Sequence, residues 1–164
     1  DTIRLVLDVE LDHQQTRRMI SNTLLACLEI LKSETGRYPI IYSRALWIDE
    51  HVYVKDLPEV DWWLAQYYHR RPWPDYTPEY PCPPRMPKGV ERWLIHQTTE
   101  RGPAIGGVGT YMDYDRWNGS QAELWAYFGR EVSLEPTLCP VDGLPCERIE
   151  ALGQKPVALP VEVM

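Results

Sequence analysis

Basic residues are scarce in this chain of 164 residues. It has 17 lysines and arginines against 24 aspartates and glutamates, so its formal net charge is −7. Proteins that bind the phosphate backbone of nucleic acids usually carry a basic surface, so the composition argues against a nucleic-acid partner. Long apolar runs are missing as well, since none approaches the roughly 20 residues that a membrane-spanning helix needs. The first residues also lack the basic start and apolar stretch of a signal peptide.

Patterns that bind metals or supply a nucleophile are missing too. The chain has four cysteines and four histidines, and neither set shows the spacing of zinc ligands. Cys139 and Cys146 are the only near neighbours, and they either form a disulfide or remain free thiols. No serine lies in a nucleophile elbow, so a Ser-His-Asp triad has no support. We therefore expect neither a metal nor a cofactor.

Phenylalanine occurs only once, whereas the chain has seven tryptophans and ten tyrosines. Tryptophan and tyrosine combine a flat apolar face with a polar group. That combination suits a cleft that binds sugars, although an ordinary core uses the same residues.

Strand and helix patterns alternate along the chain. Ile3 to Asp8 is nearly continuous in apolar character and predicts a strand buried on both faces. Gln14 to Thr35 carries one apolar stripe at helical spacing, and Gly36 follows where a C-cap glycine belongs. Pro39 to Ser43 predicts a second strand. A strand, a helix and a strand in this order predict a parallel pair with a right-handed crossover.

The same alternation continues toward the C-terminus. A short helix is predicted over Arg44 to Val52, and strands over Asp61 to Tyr67 and Arg92 to Thr98. Further elements follow less regularly: a proline-rich loop from 68 to 87, a glycine-rich turn at 106–109, and a last helix that Ser120 caps and that ends at Phe128. We predict an α/β fold with a parallel sheet over residues 1–130, followed by a tail or linker over 131–164.

Two acids lie at the end of the first strand. In barrels built from parallel strands, catalytic side chains project from the carboxyl ends of the strands, and Asp8 and Glu10 come at such an end. Residues two apart on a strand point to the same face, with Cα atoms roughly 6.6 Å apart. Two acids so close do not ionise independently, which suits a glycosidase. Magnesium binding, helix capping and simple solvation remain open for the same pattern.

Five short motifs together resemble family 25 glycoside hydrolases, the Chalaropsis-type lysozymes that include bacterial, fungal and phage lysins. They occur in the family's order between residues 3 and 128: LVLDVE, TGRYPIIYS, WWLAQY, LIHQTT and GGVGTYMDYDRWNGS. The resemblance implies an irregular TIM-like (β/α) barrel that cleaves the β-1,4 bond between N-acetylmuramic acid and N-acetylglucosamine. It also implies secretion, or action as a phage lysin, at the cell wall.

The resemblance assigns roles to individual residues. It implies that Glu10 is the proton donor, with Asp8 and Asp113 as supporting acids. It implies that Tyr42 lines the cleft and that Ala65, Tyr67 and Gln97 stand at matched positions on the next two strands. We also expect Trp62, Trp63, Tyr67 and the proline-rich loop to form one side of the glycan cleft. The predicted substrate-binding residues are therefore Tyr42, Trp62, Tyr67 and Gln97. Adjacent strand residues face opposite ways, so we expect one of Trp62 and Trp63 to lie in the core. His96 stands where the family usually has tryptophan, and we expect it to be a packed core residue.

The family's barrel opens with strands that precede the Asp-Val-Glu motif, and this chain has no counterpart to them. A barrel without its first strands exposes a sheet edge, and exposed edges recruit other strands. We therefore expect upstream residues, a separate N-terminal chain or self-association through the open edge. The alternatives to a muramidase are a wall-binding or structural domain without turnover, and a barrel glycosidase for another β-linked amino sugar.

Overall fold

A computed structural model describes residues 4–67, 82–103 and 111–129 of the chain. These residues form a mixed α/β fold in which strands and helices alternate. The elements, in chain order, are β1 (Val6–Asp8), α1 (Arg17–Thr35), β2 (Ile40–Ser43), α2 (Ala45–His51), a 3-10 turn (Val54–Asp56), β3 (Trp62–Ala65), β4 (Ile95–Pro103), β5 (Tyr111–Trp117) and α3 (Gln121–Tyr127).

The five strands form one sheet in the order β1-β2-β3-β4-β5. The pairs β1–β2, β2–β3 and β3–β4 are parallel, which confirms the prediction for the first four strands. The pair β4–β5 is antiparallel, and β5 was not predicted as a strand, so the sheet is mixed where a parallel sheet was predicted. A parallel pair needs a long crossover, whereas Pro103 and Tyr111 are joined by a short connection. The described strands form a sheet with ends and not a closed barrel.

Caps explain where α1 begins and ends and where α3 begins. The Thr16 side chain accepts a hydrogen bond from the backbone of Met19, so α1 begins three residues later than the predicted Gln14. Gly36 ends α1 with φ 76°, a left-handed conformation that suits glycine, as predicted. Ser120 and Glu123 form a capping box at the start of α3, which confirms the predicted cap.

One face of the sheet packs against α1 and α2 to form the core. The core cluster consists of Leu24 and Leu28 from α1, Ile48 and Val52 from α2 and its end, and Ile41, Trp62 and Leu64 from β2 and β3. Burial of such side chains is the main stabilising contribution to a fold of this size. The core fixes one face of β2 and β3, and thereby leaves their other face for the site.

The first strand is less buried than its sequence predicted. Leu5 is 38% exposed and Val6 is 40% exposed, because β1 pairs only with β2 among the described strands. The prediction that this strand is buried on both faces was therefore wrong for the described part of the chain. β1 is an edge strand of the sheet, and no described strand pairs with its other edge.

Candidate active site

The strand register places a polar group of side chains on the face of the sheet opposite the core. Asp8 pairs with Tyr42, and Tyr42 pairs with Trp63. Gln97 pairs with Asp115 across the antiparallel strands. Since directly paired residues point to the same face of a sheet, strands that are far apart in sequence contribute to one surface. This surface at the carboxyl ends of β1 to β3, with the facing residues of β4 and β5, is the candidate active site.

Glu10 lies beyond the end of β1, in the segment that leads to α1. Two hydrogen bonds fix the backbone just before it: Val9 N donates to Tyr42 O at 3.0 Å, and Ser43 Oγ donates to Val9 O at 2.5 Å. The prediction treated Asp8 and Glu10 as two residues of one strand, and in this respect it was wrong. The two hydrogen bonds to β2, rather than a strand pleat, hold the base of Glu10 at this edge.

The surroundings of Glu10 favour its protonated form. Burial raises the pKa of the Glu10 carboxyl above its usual range, and the nearby charge of Asp8 raises it further. The Arg44 guanidinium lowers this pKa, with its Nε 3.7 Å from Glu10 Oε1, and the charge of Glu100 raises it. A carboxyl whose pKa is raised by burial and a neighbouring acid can hold a proton closer to neutral pH and donate it.

Two tyrosine hydroxyl groups meet at one amide. Tyr42 and Tyr67 each donate a hydrogen bond of 2.7 Å to Gln97 Oε1. Gln97 is buried, whereas both tyrosines are half-buried. Burial, and then the neighbouring hydroxyl of Tyr67, raise the pKa of Tyr42 above its ordinary value, so the hydroxyl stays neutral. Each hydroxyl oxygen keeps lone pairs that can accept a hydrogen bond from a sugar hydroxyl or amide.

A second pair of acids lies on β5. Trp63 Nε1 donates a hydrogen bond of 2.7 Å to Asp115 Oδ1, and the Trp63 ring contacts Tyr42 edge-on with centroids 5.3 Å apart. Burial raises the pKa of Asp115; the Trp63 hydrogen bond lowers it, and the charge of Asp113 raises it. Asp113 is exposed and lies two residues from Asp115 on the same strand, so both acids share one face.

Trp62 does not join this group. It is 5% exposed and belongs to the core cluster, on the opposite face of β3 from Trp63. The structure thus confirms that one of the two tryptophans is core, and it places the predicted substrate-binding Trp62 there because strand neighbours alternate. His96 is also fully buried, with Nε2 3.0 Å from Gln66 O, which confirms that it is a packed residue.

Two residues of the site were not predicted. Arg44 was interpreted only as the start of a helix, and Asp115 only as part of a motif. Trp63 was predicted to line the cleft together with Trp62. Because Trp63 lies on the same face of the strand as Ala65 and Tyr67, this alternation could have favoured it over Trp62. Asp115 has the same relation to Asp113, which would have been visible had β5 been recognised as a strand.

Several predictions fall partly or wholly outside the described residues. These are the loop from 68 to 81, the glycine turn at 106–109, the tail over 131–164 and the pair Cys139 and Cys146. Cys27 is a free thiol. In the described ranges, no three histidines, cysteines or acids are grouped to hold a metal ion. No helix within them is both long and apolar enough to cross a bilayer.

The fold is similar to that of solved glycan-cleaving enzymes. The family 25 glycosyl hydrolase from Bacillus anthracis superposes with a TM-score of 0.58 and 21% identity, over 77% of this chain and 54% of that one. The bacterial lysozyme from Streptomyces coelicolor gives a TM-score of 0.58 and 21% identity, over 75% of this chain and 54% of that one. At this identity, the likeness establishes the fold alone.

Sequence comparison adds a relative and a family. The uncharacterized protein YegX of Escherichia coli (strain K12) is 30% identical over 124 residues, which cover 74% of this chain and 39% of the relative. The chain thus spans about two fifths of the length of that relative and about half of the solved enzymes. The sequence model of the family described as "Glycosyl hydrolases family 25" matches residues 1–107, more than half of the chain. The chain therefore belongs to glycosyl hydrolase family 25.

Proposed function

We propose that this protein is a peptidoglycan hydrolase of the muramidase type, which cleaves the β-1,4 bond between N-acetylmuramic acid and N-acetylglucosamine. Family membership supports a glycoside hydrolase, and solved neighbours include proteins described as a lysozyme and a muramidase. The observation that carries the proposal is the position of Glu10. Glu10 lies just beyond the C-terminal end of β1. Burial and the charge of Asp8 raise the pKa of its side chain, as a proton donor requires.

In the proposed reaction, Glu10 is the general acid. Its proton passes to the glycosidic oxygen as the bond from that oxygen to the anomeric carbon breaks. The carbon develops positive charge in the transition state, and the supporting carboxylates Asp8 and Asp113 stabilise that charge. Water supplies the hydroxyl of the new reducing end, and its remaining proton returns to Glu10. The anomeric carbon can be attacked by the substrate's acetamido group, by Asp8 or by water itself, and each route gives the same products.

The glycan would lie along the polar face of the sheet. Tyr42, Tyr67 and Gln97 present hydroxyl and amide groups there, and Trp63 rather than Trp62 presents an aromatic edge. Aromatic surfaces combined with hydrogen-bonding groups are typical of sugar-binding clefts. The substrate would be reached at the cell wall, outside the cytoplasm or after release by a phage.

We further propose that the five-stranded sheet is part of an irregular TIM-like barrel that is completed at β1. A groove of about 650 Å³ lies between β1 and α1, and its lining includes Leu7, Val9, Met19 and Ile20. Apolar side chains beside an unpaired strand edge favour the addition of another strand. That strand belongs to an upstream segment, to an N-terminal chain, or to a second copy.

The experiment that tests the function is an analysis of reducing ends. Purified peptidoglycan is incubated with the protein as its whole gene encodes it, reduced with borohydride, hydrolysed and examined for reduced amino sugars. The proposal predicts reduced muramic acid. Reduced glucosamine instead would favour a glycosidase for another linkage. Sedimentation of the protein with the wall, without any new reducing ends, would favour a wall-binding domain and contradict the proposal.

A further inference from the structure

We propose that Arg44 is a positioning residue of this site, whose guanidinium holds the Glu10 carboxyl in place and links it to Tyr67. The inference rests on the proposed role of Glu10 as the general acid. Arg44 lies between the carboxyl end of β2 and the start of α2, at the N-cap position of that helix. Its side chain turns to Glu10 and Tyr67 instead of capping α2 by a hydrogen bond.

The backbones that carry Arg44 and Glu10 are fixed to one another. Ser43, the residue before Arg44, donates its hydroxyl to the carbonyl of Val9, the residue before Glu10. Val9 N in turn donates to Tyr42 O. Ser43 is fully buried, so this junction is held within the protein and not at a loose surface. Two long side chains that start from a fixed junction lose less freedom on pairing than two that start from independent surface sites.

The side chain of Arg44 contacts two functional groups at once. Its Nε lies 3.7 Å from Glu10 Oε1, and its guanidinium carbon lies 5.4 Å from the centre of the Tyr67 ring. Tyr67 is hydrogen-bonded to Gln97, and through it to Tyr42. Arginine can make both contacts because its planar group pairs with carboxylates and also stacks on aromatic rings. Glu10 is thereby connected to the proposed sugar-binding residues.

The charges around Glu10 make this contact consequential. Asp8 lies at the end of β1 and Glu100 lies in β4. The charges of both acids raise the pKa of Glu10 and so disfavour its ionised form. The Tyr42 hydroxyl of β2 also lies within the electrostatic reach of Glu10. Among the described residues, Arg44 is the cation that opposes these acids at Glu10. Its removal is expected both to free the Glu10 side chain and to raise the pKa of its carboxyl.

The test uses two substitutions at Arg44 and one control. Arg44→Met removes the cation and keeps an unbranched apolar chain, whereas Arg44→Lys keeps the cation and removes the planar group. Arg92→Met is the matched control, because Arg92 is also exposed and lies 3.5 Å from the carboxylate of Asp61, at the opposite ends of the strands. Two quantities are measured: the titration of Glu10 by ¹³C NMR, and kcat and KM on peptidoglycan as functions of pH.

We expect Arg44→Met to move the Glu10 titration upward by roughly a few tenths of a pH unit, the range that exposed ion pairs allow. We expect kcat to fall about 10-fold with little change in KM, as when a reacting group is misplaced. Arg44→Lys should restore the titration and only part of kcat, and Arg92→Met should change neither. A Glu10 titration that is the same in the wild type and in Arg44→Met would overturn the inference.

The two proposals fail separately. If Arg44→Met does not fold, which its circular dichroism would show, then the titration of Arg44→Lys decides: a Glu10 titration near that of the wild type supports the inference, and a clear upward displacement overturns it. If Glu10→Gln is fully active, the proposed general acid is wrong. The effect of Arg44 on the Glu10 titration would still be measurable, since NMR does not require turnover.

Discussion

Replacement of Gln97 by leucine tests the hydrogen-bonded group at the centre of the site. Gln97 Oε1 accepts 2.7 Å hydrogen bonds from both Tyr42 and Tyr67, so Gln97→Leu removes one acceptor and leaves two hydroxyl groups without it. Tyr42→Phe removes one donor and leaves Gln97 paired with Tyr67. The two substitutions therefore disturb the same group to different extents.

The expected cost follows from the burial of these groups. A buried hydroxyl that loses its partner costs about 1–3 kcal/mol. Tyr42 and Tyr67 are only half-buried and can reach water in part, so the lower end applies to each. We expect Gln97→Leu to lower the free energy of unfolding by about 2 kcal/mol, and Tyr42→Phe to lower it by about 1 kcal/mol. The double variant Gln97→Leu with Tyr42→Phe should lose less free energy of unfolding than the sum of the two single losses, because it has one fewer hydroxyl without an acceptor.

Urea unfolding followed by tryptophan fluorescence measures these differences. A loss of about 2 kcal/mol corresponds to a midpoint lower by roughly 1 M urea at a usual slope. Gln121→Leu is the control, because Gln121 is exposed on α3 and its replacement should leave the midpoint nearly unchanged. The reasoning would be refuted if Gln97→Leu were as stable as the wild type, or if its combination with Tyr42→Phe were fully additive.

Three further predictions concern the core, the second acid pair and the sheet edge. Burial lowers the pKa of His96 from 6.5 to about 4, so the unfolded chain binds more protons than the folded chain between these pH values. The free energy of unfolding should therefore fall as the pH drops from about 6.5 to 4. Urea unfolding midpoints of His96→Gln should not show this pH dependence. Trp63→Phe removes the hydrogen bond that lowers the pKa of Asp115, so that carboxyl should titrate at higher pH by NMR. Val6→Lys should reduce concentration-dependent self-association measured by light scattering, because Val6 is exposed on the edge strand. Unchanged association would contradict self-association through this strand edge.

Local structure was the part of the fold that the sequence predicted well. The cap at Ser120, the end of α1 at Gly36 and the strand Ile40–Ser43 depend on neighbouring residues, and all three were confirmed. The strand Tyr111–Trp117 was not predicted, since its alternation of acids and aromatics was interpreted only as a motif. Its antiparallel pairing with β4 depends on a partner that its own pattern does not specify.

The site depends even more on distant contacts. Tyr42 and Gln97 are 55 residues apart in the chain, and they meet because β2, β3 and β4 are neighbours in the sheet. The types of these residues were predicted through the family's motifs, but the hydrogen bonds between them were not. The contact between Arg44 and Glu10 has no sequence pattern of its own, because it arises from hydrogen bonds that join the ends of β1 and β2.

The most direct test of the central claim is the rate of wall hydrolysis by Glu10→Gln, in the protein as its whole gene encodes it. Glutamine keeps the shape of the side chain and cannot supply the proton. Release of reducing ends from purified peptidoglycan should fall by about 10²–10⁴-fold, the usual contribution of a general acid. Glu34→Gln, an exposed control on α1, should be as active as the wild type. Hydrolysis by Glu10→Gln within about twofold of the wild-type rate, where loss of a general acid would cost at least 10²-fold, would contradict the account.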